Sequence, residues 1–521
     1  MNVVYPVVGL LDRQHKLYGH TVIYPDPPIR MPVSAAAVAC AASRTATYRR
    51  RQPERTVLYR TVQSHLATWL ELAQDESGRS VPAHVEREFH RYLECGILAH
   101  GFARARCAGC GHDFLVAYSC KGRGVCPSCN TRRMVETAAH LADHVIPRLP
   151  VRQWVLSVPK RLRYYLQAEP TVQNLTLHIF LSAVEQGLRA ACPVAQDSKT
   201  RIGAVAFIHR FGALLNPHVH FHCVVVDGVF EADLPVRFHE TPALNAEQFA
   251  AIQSNVRRRL LRALSRRGLL EPEAAEEMAA WEHGGGFSLD AGVRIEAEDR
   301  SGLERLLRYC ARPVFALERL RQIDPEHLVY ESIKPGPGGS ISLLLTPLEL
   351  IERLAALIPP PRRHRHRYYG VLAPNAPLRA AVTALAVAKD VVPLASAMTE
   401  AVSAPESGAT VPNALDEEAE EPALRRAARY VWALLLARIY EVLPLRCPKC
   451  GGDMRIIAVI NEGPVIREIL GHLGEPISAP RLAPARGPPL WELPVDDQAE
   501  RETDPPAQPA PDYEFDQRVA W

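Results

Sequence analysis

The sequence predicts an α+β protein built on an antiparallel sheet, and three observations predict it. Asn216 to Gly228, NPHVHFHCVVVDG, alternates His218, His220 and His222 with Val219, Phe221 and Cys223, which is the two-residue period of a strand. Gly203 to Phe211, GAVAFIHRF, is a second apolar stretch, and the short GALLNP loop joining the two favours antiparallel neighbours. Residues 171–188 and 301–313 carry helical spacing on either side of this pair, so helices should flank the sheet.

Size and composition set the frame. At 521 residues the chain should divide into several domains, and its 47% hydrophobic content supports a globular body. A net charge of only +3 leaves any nucleic-acid contact to local basic clusters. No apolar run reaches the roughly 18 residues that span a bilayer. The opening MNVVYPVVGLLDRQ lacks the basic start of a signal peptide, so the expected location is the cytoplasm. Of 12 cysteines, Cys95, Cys107, Cys110, Cys120, Cys126 and Cys129 crowd one segment, and Cys447 and Cys450 form a further pair. In a reducing compartment such clusters read as zinc ligands before disulfides. Cys40, Cys192, Cys223 and Cys310 read as single, buried apolar residues.

Taken in order, residues 1–48 are an irregular extension. Residues 49–140 should hold a helix, with Leu58, Val62, Leu66, Trp69 and Leu70 on its apolar stripe, and then a small Cys-rich domain. There Cys107-x-x-Cys110 and Cys126-x-x-Cys129 have the spacing of one closed, four-sulfur structural zinc site. Cys95 and Cys120 could replace one of the four, bind a second ion with His100 or His112, or merely pack. Arg123, Arg132 and Arg133 beside this motif suit a DNA backbone.

Residues 150–350 form the sheet-bearing domain, with a strand at Gln153–Val158 and a basic helix at Ala246–Leu269. In SGLERLLRYCARP, Ser301 with Glu304 three residues on reads as a capping box. Leu303, Leu306, Leu307 and Cys310 make the buried stripe of that helix, Tyr309 lies at the stripe's edge, and Pro313 ends it. LVYESI and SISLLLTP then read as a hairpin, followed by a helix from Pro347 to Leu357.

Residues 351–398 are a basic and aromatic segment in which Arg363, Arg365 and Arg367 adjoin Tyr368, suited to phosphate binding and base stacking. Residues 399–422 read as an acidic linker, 423–475 as a helical segment with a C-x-x-C knuckle, and 476–521 as a Pro-rich, disordered tail. Cys447 and Cys450 alone supply half a zinc site.

Alternating histidines on an otherwise apolar strand point to a cation, since imidazoles are costly to bury without a partner. A divalent ion can polarise a phosphodiester, and a tyrosine hydroxyl beside it can attack to form a phosphotyrosine. Water as nucleophile, or a metal-stabilised DNA-binding protein without activity, are the alternatives on residues alone.

The motif order resembles that of bacterial rolling-circle insertion-sequence transposases of the HUH endonuclease superfamily, in the type with an N-terminal zinc-binding domain. The likeness is carried by residues 95–133, 210–230, LERLLRYCARPVFALERL at 303–320, YYGVLAPNAPLR at 368–379 and RCPKCGGDM at 446–454, and covers roughly residues 50 to 475. It implies an HUH-type antiparallel sheet at 150–350, structural Zn²⁺, catalytic Mg²⁺ or Mn²⁺, and a 5′-phosphotyrosine intermediate on single-stranded DNA at the element's ends. By position His220 and His222 match the metal pair, with His218–His220 as a second register, and Tyr309 matches the nucleophile. Arg305 stands four residues before Tyr309, where some relatives carry another tyrosine, so the chain resembles the single-tyrosine, common-region type. A third metal ligand is expected, with His209 and His218 as candidates.

Overall fold

The computed structural model describes residues 51–77, 80–192, 199–282, 284–336, 339–387, 447 and 449–486. The extension at 1–48, the acidic linker at 399–422, the helix expected at 423–443 and Cys40 lie outside the described residues.

The chain enters through two helices, α1 (Val57–Ser77) and α2 (Ala83–Glu94). The stripe read from sequence is buried, with Leu58, Val62 and Leu66 at 0% exposure. A hairpin follows, β1 (Phe102–Cys107) and β2 (Asp113–Ala117), and then the long helix α3 (Pro127–His144). That helix starts at the second C-x-x-C pair rather than near Glu136, because Cys126 is its N-cap and Pro127 its first residue, a position proline suits.

The central sheet is built from β3 (Val151–Ser157), β4 (Gly203–Phe211) and β5 (Pro217–Val226), with β5 in the middle. Both pairings are antiparallel: Phe207 and Val155 stand opposite His222, while His209 and Ser157 stand opposite His220. Between β3 and β4 run the helices α4 (Lys160–Ala168) and α5 (Pro170–Ala191), and after β5 come α6 (Ala246–Ser265) and α7 (Pro272–Ala280). Short strands β6 (Ser288–Asp290) and β7 (Arg294–Ile295) both pair with β3.

Strand alternation divides this sheet cleanly. Val219, Phe221, Cys223 and Val225 point to one face, where they pack with Trp154, Leu156 and the apolar sides of α4 to α7. Val224 and Val226 point to the other face, with Val205 and Phe207, against α3 and the helix α8 (Arg300–Cys310). His220 and His222 follow the same alternation as Val224, so they meet α8 rather than the larger core.

The helix α8 does not begin with the expected capping box. Asp299 is its N-cap, and its carboxylate accepts from the Gly302 backbone N–H at 2.7 Å, while Ser301 donates its hydroxyl to Asp299 at 3.0 Å. Glu304 instead pairs with Arg308 one turn on. An aspartate two residues earlier competes better for the free N–H groups than serine does, because it is charged and meets the helix dipole.

The helix α9 (Pro347–Leu357) forms as read, and so does the hairpin of β8 (Leu328–Gly336) and β9 (Gly339–Leu345), except that its strands run beyond LVYESI into the residues read as its turn; both pack on α1 and α2. The basic segment contributes β10 (His366–Gly370), which pairs with β4 at the edge of the central sheet. After the residues left undescribed, β11 (Met454–Ile460) joins β1 and the helix α10 (Gly463–Leu473) covers Leu98 and Phe102.

The Pro-rich tail, expected to be disordered from 476, is placed up to residue 486. Gln63 donates to the Arg481 carbonyl at 2.8 Å, Thr68 accepts from the Arg486 N–H at 2.9 Å, and Leu482 packs on the α1 core. Proline-rich chain can lie along a helix in this way because it has few N–H groups to satisfy. No described helix is long and apolar enough to cross a membrane.

Candidate active site and cysteine clusters

His209, His220 and His222 come together on the sheet face turned toward α8. They are 4%, 9% and 3% exposed, and one ring nitrogen of each lies within 4.8 Å of the others'. His209 reaches this site from β4, where it sits directly opposite His220. His218 neighbours His220, with ring centroids 4.8 Å apart, but stands outside the triad, nearer the strand's start. Of the two candidates for a third ligand, the geometry therefore gathers His209 and leaves out His218.

The surroundings orient these rings. The Cys310 carbonyl can only accept, so His209 Nε2, 2.6 Å away, carries a proton, and Nδ1 keeps its lone pair. That Nδ1 is buried and has no hydrogen-bond partner among the described residues, as a metal ligand's nitrogen should be. His220 Nδ1 likewise donates to the His218 carbonyl at 3.2 Å, which leaves Nε2 as its lone-pair nitrogen. The Gln153 amide nitrogen lies 2.8 Å from His222 Nδ1. With that amide turned so that its oxygen accepts from Nδ1, His222 Nε2 would face the same point.

Burial, then the neighbouring His222 and Arg312, hold His209 well below the usual histidine range. Burial, then His209 and His218, do the same for His220. Neutral imidazoles close together with inward lone pairs are the state a divalent cation binds. The donor set therefore fits a metal ion.

Tyr309 stands at the rim of this triad. Its ring meets His222 edge-on, 5.5 Å between centroids and 80° between planes. The Arg312 guanidinium lies 4.7 Å from the centre of the Tyr309 ring and 5.6 Å from that of Phe211. Cys310, next to Tyr309, is fully buried, and burial pushes its thiol up to about 12, so it serves packing. Gln153 and Arg312 were not singled out in the sequence. A glutamine on an apolar strand was the available signal for the first, and its partner emerges only once β3 and β5 pair.

A buried ion network lies at the far end of the same sheet. Asp227, 3% exposed, accepts from Arg152 at 2.8 and 3.0 Å and from Arg294 at 2.8 Å. It fixes the turn after β5 and ties β7 to the sheet.

The cysteines form two groups, which corrects the single site expected from the two C-x-x-C pairs. Cys126 and Cys129 meet Cys95 and Cys120, whereas Cys107 and Cys110 meet Cys447 and Cys450. The first group closes between the C-terminal end of α2, which Cys95 caps, and the N-terminal end of α3. Cys129 lies 3.7 Å from Cys95 and 3.5 Å from Cys120, sulfur to sulfur, and Cys126 lies 3.6 Å from Cys95. Thiol contacts from Cys120, Cys126 and Cys129 hold Cys95 far below the usual thiol range. The pairs separate because Cys107 ends β1 and Cys110 lies in the turn that follows it, at the far end of that hairpin. None of these cysteines forms a disulfide.

The expected DNA-contact residues gather only in part. The Arg123 guanidinium donates to the Arg363 carbonyl, and Arg365 donates to Asn130 of α3 at 3.2 Å. Burial, with Arg123 and Arg133 nearby, holds Arg365 down to about 10. Arg363 and Arg367 lie close enough to Arg210 of β4 to lower it too, after burial. Arg132 turns instead to Glu136, 2.7 Å away, and Tyr368 has the Arg379 guanidinium 4.9 Å from its ring.

The comparisons place the chain that carries this histidine cluster, tyrosine-bearing helix and cysteine-rich domain among transposases, which are DNA-cleaving enzymes. Residues 203–379 match the Y2_Tnp transposase family model, and residues 61–158 match the transposase zinc-binding domain Zn_Tnp_IS91. The two segments do not overlap and together take in more than half of the chain. The chain belongs to the IS91-type transposases with an N-terminal zinc-binding domain. No curated protein and no solved structure matches it.

Proposed function

We propose that this transposase nicks and transfers single-stranded DNA at the ends of its element, in rolling-circle fashion, with Tyr309 as nucleophile. The observation that carries the reading is the edge-on contact of Tyr309 with His222, 5.5 Å between centroids, at a buried three-histidine cluster. A phosphodiester seated over the triad would lie within reach of the tyrosine hydroxyl.

In the first step the Tyr309 oxygen attacks phosphorus, the P–O3′ bond breaks, and the 5′ phosphate stays on the tyrosine. The tyrosine proton is lost and the departing 3′ oxygen gains one, so charge and atoms balance. Strand transfer is the reverse, with a new 3′ hydroxyl displacing the tyrosine. A Mg²⁺ or Mn²⁺ ion held by His209, His220 and His222 would neutralise charge developing on the phosphate. Arg312 braces the Tyr309 ring and brings a cation to the same side. Cys95, Cys120, Cys126 and Cys129 are the ligands proposed for structural zinc, whose presence the cysteine grouping and the zinc-binding-domain match both support.

The test is incubation of the full chain with single-stranded DNA from the element's ends and Mn²⁺, followed by denaturing electrophoresis. A denaturation-resistant protein–DNA adduct is expected for the native chain and none for Tyr309→Phe, which should still bind the DNA. An adduct that persists in Tyr309→Phe would remove Tyr309 as the nucleophile. Cleavage with no adduct in either protein would mean that water attacks instead.

A further inference from the structure

We propose that Cys107, Cys110, Cys447 and Cys450 hold a second Zn²⁺, which clasps the C-terminal segment onto the N-terminal domain. Cys447 and Cys450 lie outside both matched segments, and 337 residues separate Cys110 from Cys447.

The two halves are built alike. In CAGCG at 107–111, the Gly111 N–H donates to the Cys107 carbonyl at 3.0 Å, and the Cys107 N–H donates to the His112 carbonyl at 2.9 Å. In CPKCG at 447–451, the Gly451 N–H donates to the Cys447 carbonyl at 2.9 Å, and the Cys447 N–H donates to the Gly452 carbonyl at 2.7 Å. Gly111 and Gly451 both have φ of +70°, a conformation glycine adopts without strain. Two turns with the same hydrogen bonds, each offering two thiols, face one another.

The sulfurs have the spacing a tetrahedral ion needs. Cys107 and Cys450 are 3.4 Å apart, Cys110 and Cys447 are 3.5 Å apart, and all four lie within 4.8 Å of one another. Four thiolates about 2.3 Å from zinc would stand about 3.8 Å apart. Backbone closes around them: a Cβ at Gly452 would sit 3.3 and 3.4 Å from the sulfurs of Cys450 and Cys107. With four sulfurs and no open position, the site is structural.

Its placement gives the ion a mechanical role. Cys107 ends β1 and stands opposite Met454, the first residue of β11, so the ion would pin the register in which β11 extends the hairpin sheet. The helix α10, which covers Leu98 and Phe102, and the stretch to Arg486 along α1 follow from that anchor. The transposase domain would then be enclosed, along the chain, between two parts of one zinc-stapled unit.

The test maps metal protection of thiols in the full-length native protein. The native chain is alkylated with and without prior treatment with a strong chelator, and each cysteine is scored by mass spectrometry. Cys107, Cys110, Cys447 and Cys450 are expected to be protected together and to become reactive together when metal leaves. Protection of Cys95, Cys120, Cys126 and Cys129 is scored in the same digest, so loss of one site is distinguishable from loss of the other. Cys110 and Cys450 are exposed, so their rapid alkylation in the metal-loaded protein would overturn the proposal. Metal analysis gives the second arm: Cys447→Ser with Cys450→Ser should lower bound zinc by one per chain, and an unchanged content would equally overturn it.

Discussion

His222 is gripped from two sides, by the Gln153 amide at Nδ1 and by the Tyr309 ring, and each grip makes a prediction. Replacing Gln153 with leucine keeps the volume but frees the ring to rotate, so Mn²⁺ should bind about 10- to 100-fold more weakly. Calorimetric titration of Gln153→Leu checks this, and native affinity would show that the amide does not orient the ligand. The depressed histidines make a second prediction, about pH. His209 and His220 are held neutral in the fold by burial, whereas in the unfolded chain each takes a proton near pH 6.5. The unfolded state therefore binds more protons below that pH, and stability present above about 6.5 is lost as the pH falls toward the folded values. Each histidine should cost up to about 1.4 kcal/mol per pH unit in that window. Denaturant unfolding of the metal-free protein between pH 7.5 and 5 should show this decline, and His209→Gln should flatten it. An equal slope in both proteins would contradict the assignment of neutral, buried histidines.

At the scale of elements, the sequence was most readable where one period ran uninterrupted. Gly203–Phe211 and Pro347–Leu357 form with the bounds their patterns implied, and the histidine strand forms as Pro217–Val226. Ends were harder, because several polar residues compete to cap a helix and only the folded backbone selects one. For α8 the competitor to Ser301 was Asp299, and its carboxylate wins the Gly302 N–H. Asp299→Ala should therefore cost about 1 kcal/mol, against roughly 0.5 kcal/mol or less for Ser301→Ala. Chemical denaturation of the two variants ranks them, and the opposite order would restore the serine cap. The buried stripe was plainer: Leu307, 0% exposed between α3 and the sheet, should cost about 2 to 5 kcal/mol when cut to alanine. Because α8 carries Tyr309, that variant should also lose adduct formation before it loses DNA binding.

Across the whole molecule, what the sequence concealed was distance. Cys107 and Cys110 had plausible partners nearby at Cys126 and Cys129, and nothing in local spacing announced partners more than 300 residues on. The same holds for the basic segment, which looked like a separate module but supplies β10 to the central sheet, beside His209's strand. That pairing brings Arg363 and Arg367 near Arg210, and Arg365 near Arg123 and Arg133 of the zinc-binding domain. So many guanidiniums so close together repel one another and cost stability unless an anion binds there, and a DNA backbone supplies anions at regular intervals. On the proposed function, this basic cluster is where a DNA strand would meet the protein. Its consequence is electrostatic. Each arginine that neutralises a phosphate on single-stranded DNA should contribute about 0.7 to the slope of log affinity against log salt concentration. Arg363→Ala with Arg367→Ala should lower that slope by about 1.4 in fluorescence-anisotropy titrations, with adduct formation at saturating DNA little changed. A slope equal to that of the native chain would place the DNA path elsewhere on the molecule.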